Sequence, residues 1–189
     1  MSIINISSHQ PQKEEKYFLD CNVLMYEFYT NGSYAQRIVQ LYNSFINKLL
    51  CVKAEIVFTD VLLSEFINAY IRAEFNRIAT LNGLPNNRNY FKRTFRNSRS
   101  YKIILQELEL IINRQILPIS TRFDTPFSSF STASFFNNAK TFDFNDRYYG
   151  WAMSVQDAYI VTNDADFSDI SCCKIITGNP SLLASHTHS

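Results

Sequence analysis

Glycine is scarce in this chain, at 4 of 189 residues. Neither GxGxxG nor GxxxxGK[ST] occurs, so the usual Gly-rich phosphate cradles are excluded. Histidine is also rare: His9, His186 and His188 all lie near the termini. Four cysteines stand at 21, 51, 172 and 173 with no CxxC among them, and a zinc site is therefore not expected. No apolar run approaches the roughly 18 residues that a membrane span needs. The polar stretch Met1 to Lys16 has no apolar core of a secretory signal. Free thiols without such a signal fit a reducing, cytoplasmic setting. With 18 Lys and Arg against 17 Asp and Glu, the net charge of +1 selects no class of partner.

What is present is a core-forming composition, 46% hydrophobic, in a length suited to one domain. Short apolar runs, Tyr17 to Leu19, Ile56 to Phe58, Ala158 to Val161 and Lys174 to Ile176, read as strands, as does Gln115 to Ile119. Helical periodicity covers Tyr34 to Leu50 through Ile38, Leu41, Tyr42, Phe45, Ile46 and Leu49. A second helix, capped by Thr59 or Asp60, carries Leu62, Leu63, Phe66, Ile67 and Tyr70 on its apolar face. Further helices are expected from Val23 to Tyr29, through Ile103 to Ile112, and from Asn145 to Gln156. Helices alternating with short strands predict an α/β fold, a three-layer α/β/α sandwich around a central, mostly parallel sheet. The domain is expected over residues 17–180, with residues 1–16 as a polar tail and 181–189 as a second one.

Four carboxylates, remote from one another in the chain, stand in suggestive positions. Asp20 ends the run Tyr17-Phe18-Leu19 and is followed by Asn22. Glu65 sits one turn inside the helix after the second strand. Asp146 opens a helix behind Asp143, and Asp164 follows the run Tyr159-Ile160-Val161-Thr162. Ligands of open parallel sheets bind beyond the carboxyl ends of strands, which puts Asp20 and Asp164 on one rim. Either alone is better read as a turn or cap residue, a reading that weakens for both together with Asn22 two places after Asp20, and Glu65 also reads as an acid favoured near a helix N-terminus. Asp143 and Asp146 have the spacing of a cap and the third helical residue. Asp157, Asp166 and Asp169 read as a solvated acidic cluster. If the four acids meet, their repulsion needs a counter-charge, and a hard divalent cation is the usual one.

These elements resemble the PIN-domain ribonucleases, the VapC-type toxins among them, from Tyr17 to about Ile176. They are, in order, Asp20-Cys21-Asn22 after a strand, Ser64-Glu65 on a helix, Asp146 opening a helix, and Thr162-Asn163-Asp164-Ala165-Asp166-Phe167 after a strand. The stretch between Glu65 and Asp146 is longer than in compact toxins of that family, and Arg147-Tyr148-Tyr149-Gly150-Trp151 is bulkier than the small-residue helix usual there. The resemblance implies Mg²⁺ or Mn²⁺ held by Asp20, Glu65, Asp146 and Asp164, and hydrolysis of RNA phosphodiester bonds. Asn22 and Thr162 would orient the ligands, with Asp143 and Asp166 as auxiliaries. A toxin of this kind would have an antitoxin partner and would often be a homodimer; a housekeeping RNA-processing nuclease would share the same site.

Arg88 to Lys102 holds six basic residues and no acidic one, interleaved with Tyr90, Phe91, Phe95 and Tyr101. As one helix it would align Arg88, Lys92, Arg96 and Arg99, with Arg93 beside them, as contacts for RNA phosphates. An ordinary solvated helix face with core aromatics, or a surface for an acidic protein, fits the same pattern. Two further readings remain beside the nuclease: a phosphotransferase with Asp20 as nucleophile, although Asn22 replaces the second acid of the Asp-x-Asp-x-Thr pattern, and a non-catalytic binding module.

Overall fold

A computed structural model describes residues 2–125, 127–136, 143–170 and 173–186; Met1, Cys172 and the end of the expected tail, His188 included, lie outside them. The strands are β1 (Ser2–Asn5), β2 (Lys16–Leu19), β3 (Glu55–Phe58), β4 (Thr121–Arg122), β5 (Tyr159–Val161) and β6 (Lys174–Thr177). They form one sheet in the order β1-β6-β5-β2-β3-β4, and every pairing is parallel. In the central strand β2, Tyr17, Phe18 and Leu19 are all buried. A parallel strand covered on both faces needs a continuous apolar run of this kind.

The helices are α1 (Cys21–Phe28), α2 (Gln36–Val52), α3 (Asp60–Asn82), α4 (Arg88–Arg93), α5 (Arg99–Ile111), α6 (Thr132–Phe136), α7 (Phe144–Val155) and α8 (Pro180–His186). Side chains alternate across a strand, so Tyr17 and Phe18 point to opposite faces of the sheet. The Tyr17 ring meets Phe45 of α2 at 6.1 Å, and the Phe18 ring meets Tyr149 of α7 at 4.7 Å. Helices thus cover both faces, giving the expected α/β sandwich. Helix α3 starts where the Thr59 hydroxyl accepts the Leu62 N–H at 3.2 Å and stops at Gly83, whose φ of 61° favours glycine. Leu62, Phe66 and Tyr70 lie buried along its inner face.

The chain runs outward from β2 through β3 to β4, then returns to lay β5 and β6 on the other side of β2. Strand order therefore reverses between β2 and β5, which opens a crevice beyond their carboxyl ends. Residues 20 and 162–164 leave the sheet at that place.

Three expectations are corrected. Ser2–Asn5, read as part of a tail, pairs with β6 as an edge strand. The start of the second tail belongs to α8, which packs on β1 and buries Leu182. Gln115 to Ile119 is not a strand: the chain continues in helical turns through Ile112–Ile116 and Leu117–Ile119. There Ile116 is buried, and Pro118 falls early in a short helix where its missing N–H costs nothing. The strand comes later, at Thr121–Arg122.

The rim behind the crevice is tied together by Tyr42 of α2. Its buried hydroxyl donates to the Thr162 carbonyl at 2.8 Å and accepts the Gly178 N–H at 2.9 Å. Tyr42→Phe strands both backbone groups, and we expect a loss of about 1–3 kcal/mol in urea unfolding. A variant as stable as the wild type would show that the hydroxyl does not hold β5 to β6.

Candidate active site

Asp20 leaves β2 and begins α1. Its Oδ1 accepts the Cys21 N–H at 2.7 Å, and its Oδ2 accepts the Thr162 hydroxyl at 2.7 Å and the Asn22 amide. The carboxylate is only 4% exposed. The Thr162 oxygen in turn accepts the Asn22 amide at 3.2 Å and the Asp164 N–H at 2.9 Å. One hydroxyl thereby fixes Asp20 relative to Asp164 across the gap between β2 and β5. Asn22 and Thr162 both touch Asp20 and orient it.

Asp164 accepts the Asp166 N–H at 3.0 Å and so starts the turn Ala165–Asp169. Asp143 caps α7 through the N–H groups of Asn145 at 2.8 Å and Asp146 at 3.4 Å, in the cap spacing the sequence predicts. That cap sets the helical turn from which Asp146 projects. Carboxylate oxygens of Asp146, Asp164 and Asp166 lie within 4.8 Å of one another, so Asp166 belongs to the acidic group. Asp157 does not; it pairs with Lys174 at 2.6 Å, at the start of β6.

Glu65 reaches the same place from α3. Its Oε2 accepts the Tyr149 hydroxyl at 2.6 Å and the Asn145 amide at 3.2 Å. Asp20, Glu65, Asp146 and Asp164 together line one cleft of about 540 Å³. Arg72 is the one Lys or Arg among the described residues that line it.

The electrostatics follow from this crowding. Burial pushes the Asp20 carboxyl up to about 7; the Thr162 hydrogen bond opposes the rise, and the charges of Glu65 and Asp164 add to it. Burial, followed by the charges of Asp20, Asp143, Asp164 and Glu65, raises Asp146 to about 8. Among the described residues no ion pair joins any of the four acids to a Lys or Arg. Uncompensated buried charge is costly, and an all-carboxylate set of oxygen donors suits Mg²⁺ or Mn²⁺. The side chains present therefore fit a divalent ion.

Sequence reasoning did not single out Tyr149, Asn145 or Arg72. Helical spacing could have found two of them. Tyr149 lies three residues after Asp146, and Arg72 lies seven after Glu65, each on the face of its acid.

The basic segment is not one continuous helix. Helix α4 ends at Arg93, Thr94 breaks it, Arg96 lies in the short turn Phe95–Asn97, and Arg99 begins α5. Its aromatics turn inward: Phe75 of α3 meets Phe91 at 5.0 Å and Phe95 at 4.8 Å, and Phe95 is buried. Arg88, Lys92 and Arg96 nonetheless line a second groove, whereas Arg93 and Arg99 do not.

No family model matches the sequence, and no curated protein does. Among solved structures the chain is similar to one of VapBC2 from Rickettsia felis bound to a DNA fragment from their promoter. The TM-score is 0.47 and the identity 13%, over 86% of this chain and 98% of that one. At that identity and score the likeness assigns neither family nor activity. No helix among the described residues is long and apolar enough to cross a membrane.

The raised acids give a signed pH dependence. Both bind protons more tightly folded than unfolded, where a carboxyl titrates near 3.9. Their contribution to stability is full below about pH 4 and is lost as pH rises through about 7 to 8. Chelator-treated protein should therefore melt at a higher temperature at pH 6 than at pH 8.5. Mn²⁺ added at pH 8.5 should raise the melting temperature and close that difference by replacing the protons. Melting curves unmoved by both pH and Mn²⁺ would contradict the uncompensated cluster.

Proposed function

We propose that this protein is a divalent-metal-dependent endoribonuclease that hydrolyses RNA phosphodiester bonds in the carboxylate cleft. One observation carries the reading: acids from four separate chain segments converge on a single cleft at the reversal of strand order, with no cationic side chain among the described residues paired to them. A scatter of cap and turn residues has no reason to converge there.

Asp20, Asp146 and Asp164 would hold the ion, with Asp166 beside Asp146 and Asp164 and Glu65 lining the same cleft. When bound, Mg²⁺ or Mn²⁺ supplies the positive charge that stabilises a phosphorane-like transition state and makes water acidic enough to attack at neutral pH. The chain's own groups do the positioning. Thr162 and Asn22 hold the Asp20 carboxylate in a fixed plane, which removes reorganisation from the reaction. The Tyr149 hydroxyl and the Asn145 amide direct the Glu65 carboxylate, the candidate to receive the proton of the attacking water.

A phosphotransferase with Asp20 as nucleophile fits less well. Both Asp20 oxygens already accept hydrogen bonds, and the group is buried. A carboxylate held from three sides serves as a ligand more readily than as an attacking group.

Asp20→Asn should lower Mg²⁺- or Mn²⁺-dependent cleavage of single-stranded RNA by more than about 100-fold, beyond the 10–100-fold typical of a lost supporting contact, with an unchanged circular dichroism spectrum. Thr162→Val should leave a folded enzyme that needs roughly 10–100-fold more metal. Full cleavage by a clean Asp20→Asn preparation would refute the assignment.

A further inference from the structure

The cleft is not isolated. A second groove of about 720 Å³ runs along the outer side of α3 and is lined by Arg88, Lys92 and Arg96. Asn68, Arg72 and Asn76 line both the groove and the carboxylate cleft, so the two form one path whose shared wall is a single face of α3. Arg72 also borders a shallower depression in front of Glu65 and Asn145. It is exposed, and among the described residues it makes no ion pair. The Arg96 guanidinium is seated over the Phe91 ring at 5.1 Å from its centre, an attraction that favours this placement of its charge.

We propose that this groove is the seat of the single-stranded RNA that flanks the scissile bond, and that Arg72 grips the phosphate lying between groove and carboxylates. The proposal rests on the nuclease reading for its cleavage step but makes a separate statement about binding. The path changes sign along its length. An acidic cleft repels a polyanion, so a strand that reaches it needs cations at the approach. Arg72, Arg88, Lys92 and Arg96 supply them on one side. Apart from Tyr101, the remaining polar lining is amide (Asn68, Asn76, Asn86 and Asn87), which can pair with exposed base edges. A single strand presents its Watson–Crick edges, whereas an A-form duplex uses them in pairing and keeps its major-groove edges in a groove that side chains cannot read. An acidic protein would satisfy the cations but has no reason to continue into a pocket of carboxylates.

The test separates binding from cleavage. Binding of a labelled 12-nucleotide RNA is measured by fluorescence anisotropy in EDTA, over a series of salt concentrations, with wild type, Arg72→Ala and Lys92→Glu/Arg96→Glu. The reversal of Lys92 and Arg96 should weaken binding by at least about tenfold and reduce the salt slope by roughly 1.4, at about 0.7 per lost phosphate contact on a single strand. Arg72→Ala should reduce the slope by roughly 0.7 and raise KM for cleavage. A control reversal on α2, Arg37→Glu/Lys48→Glu, should leave both unchanged, and a duplex of the same length should bind more weakly than the single strand.

Equal affinity and slope in wild type and the Lys92/Arg96 variant would overturn the proposal, even if metal-dependent cleavage persisted. So would binding of an acidic polypeptide in place of RNA, or a preference for the duplex. Groove-dependent RNA binding without any cleavage in Mg²⁺ or Mn²⁺ would support the groove and refute the nuclease reading instead.

Discussion

The constraint on which this structure turns is the burial of the Asp20 carboxylate at the end of the central strand, among other acids. A lone carboxylate in that position is unfavourable by desolvation alone, and the charges of Glu65 and Asp164 push it further from its ordinary titration range. Among the described residues the surroundings answer with hydrogen bonds from Cys21, Asn22 and Thr162, not with an ion-paired Lys or Arg. Such bonds keep the group oriented without cancelling its charge. Its charge is therefore met by a proton, as the raised titration range implies, or by the divalent ion proposed above.

The architecture explains why these segments meet. Strand order reverses between β2 and β5, so the loops after those strands diverge and leave a crevice between them. Asp20 and Asp164 stand in those loops. Glu65 arrives from the second turn of α3 and Asp146 from the first turn of α7, helices held in register by the Glu65 contacts with Asn145 and Tyr149. Tyr42 closes the back of the crevice by joining the Thr162 carbonyl to Gly178. Positioning of the acids is thus distributed over the sheet and both helical layers.

Much of this was legible in the sequence because the signals are local. Tyr17-Phe18-Leu19 is apolar at every position, as a doubly covered strand must be, and the Asp143 to Asp146 spacing announces a cap wherever it occurs. Asp20, Glu65 and Asp164 could be named because each sits at a fixed step from such an element. What escaped depends on pairing between remote segments. Ser2–Asn5 has no periodicity of its own and becomes a strand only through its register with Lys174–Thr177. Gln115 to Ile119 has strand-like residues, yet the preceding helix continues through them to bury Ile116. The break at Thr94 was hidden because basic and aromatic residues fit a helix on both sides of it. The Phe75 cluster decides which way the rings turn, and Phe75 lies on a different element.

Helix α3 shows how one element serves opposite electrostatic ends. Glu65 and Arg72 are seven residues apart on one face, about 10 Å along the axis at 1.5 Å per residue. That separation is close to the screening length of physiological salt, about 8 Å. Closer, Arg72 would pair with Glu65; much farther, its attraction for a phosphate of the proposed strand would be screened. At two helical turns Arg72 makes no ion pair among the described residues and lines both the cleft and the groove, within reach of the RNA strand proposed above. The rigid rise of a helix fixes this distance in a way that a loop could not. The buried row Leu62, Phe66 and Tyr70 anchors that helix to the core, so the spacing between the acidic cleft and the basic groove is set by the same packing that holds the sandwich together.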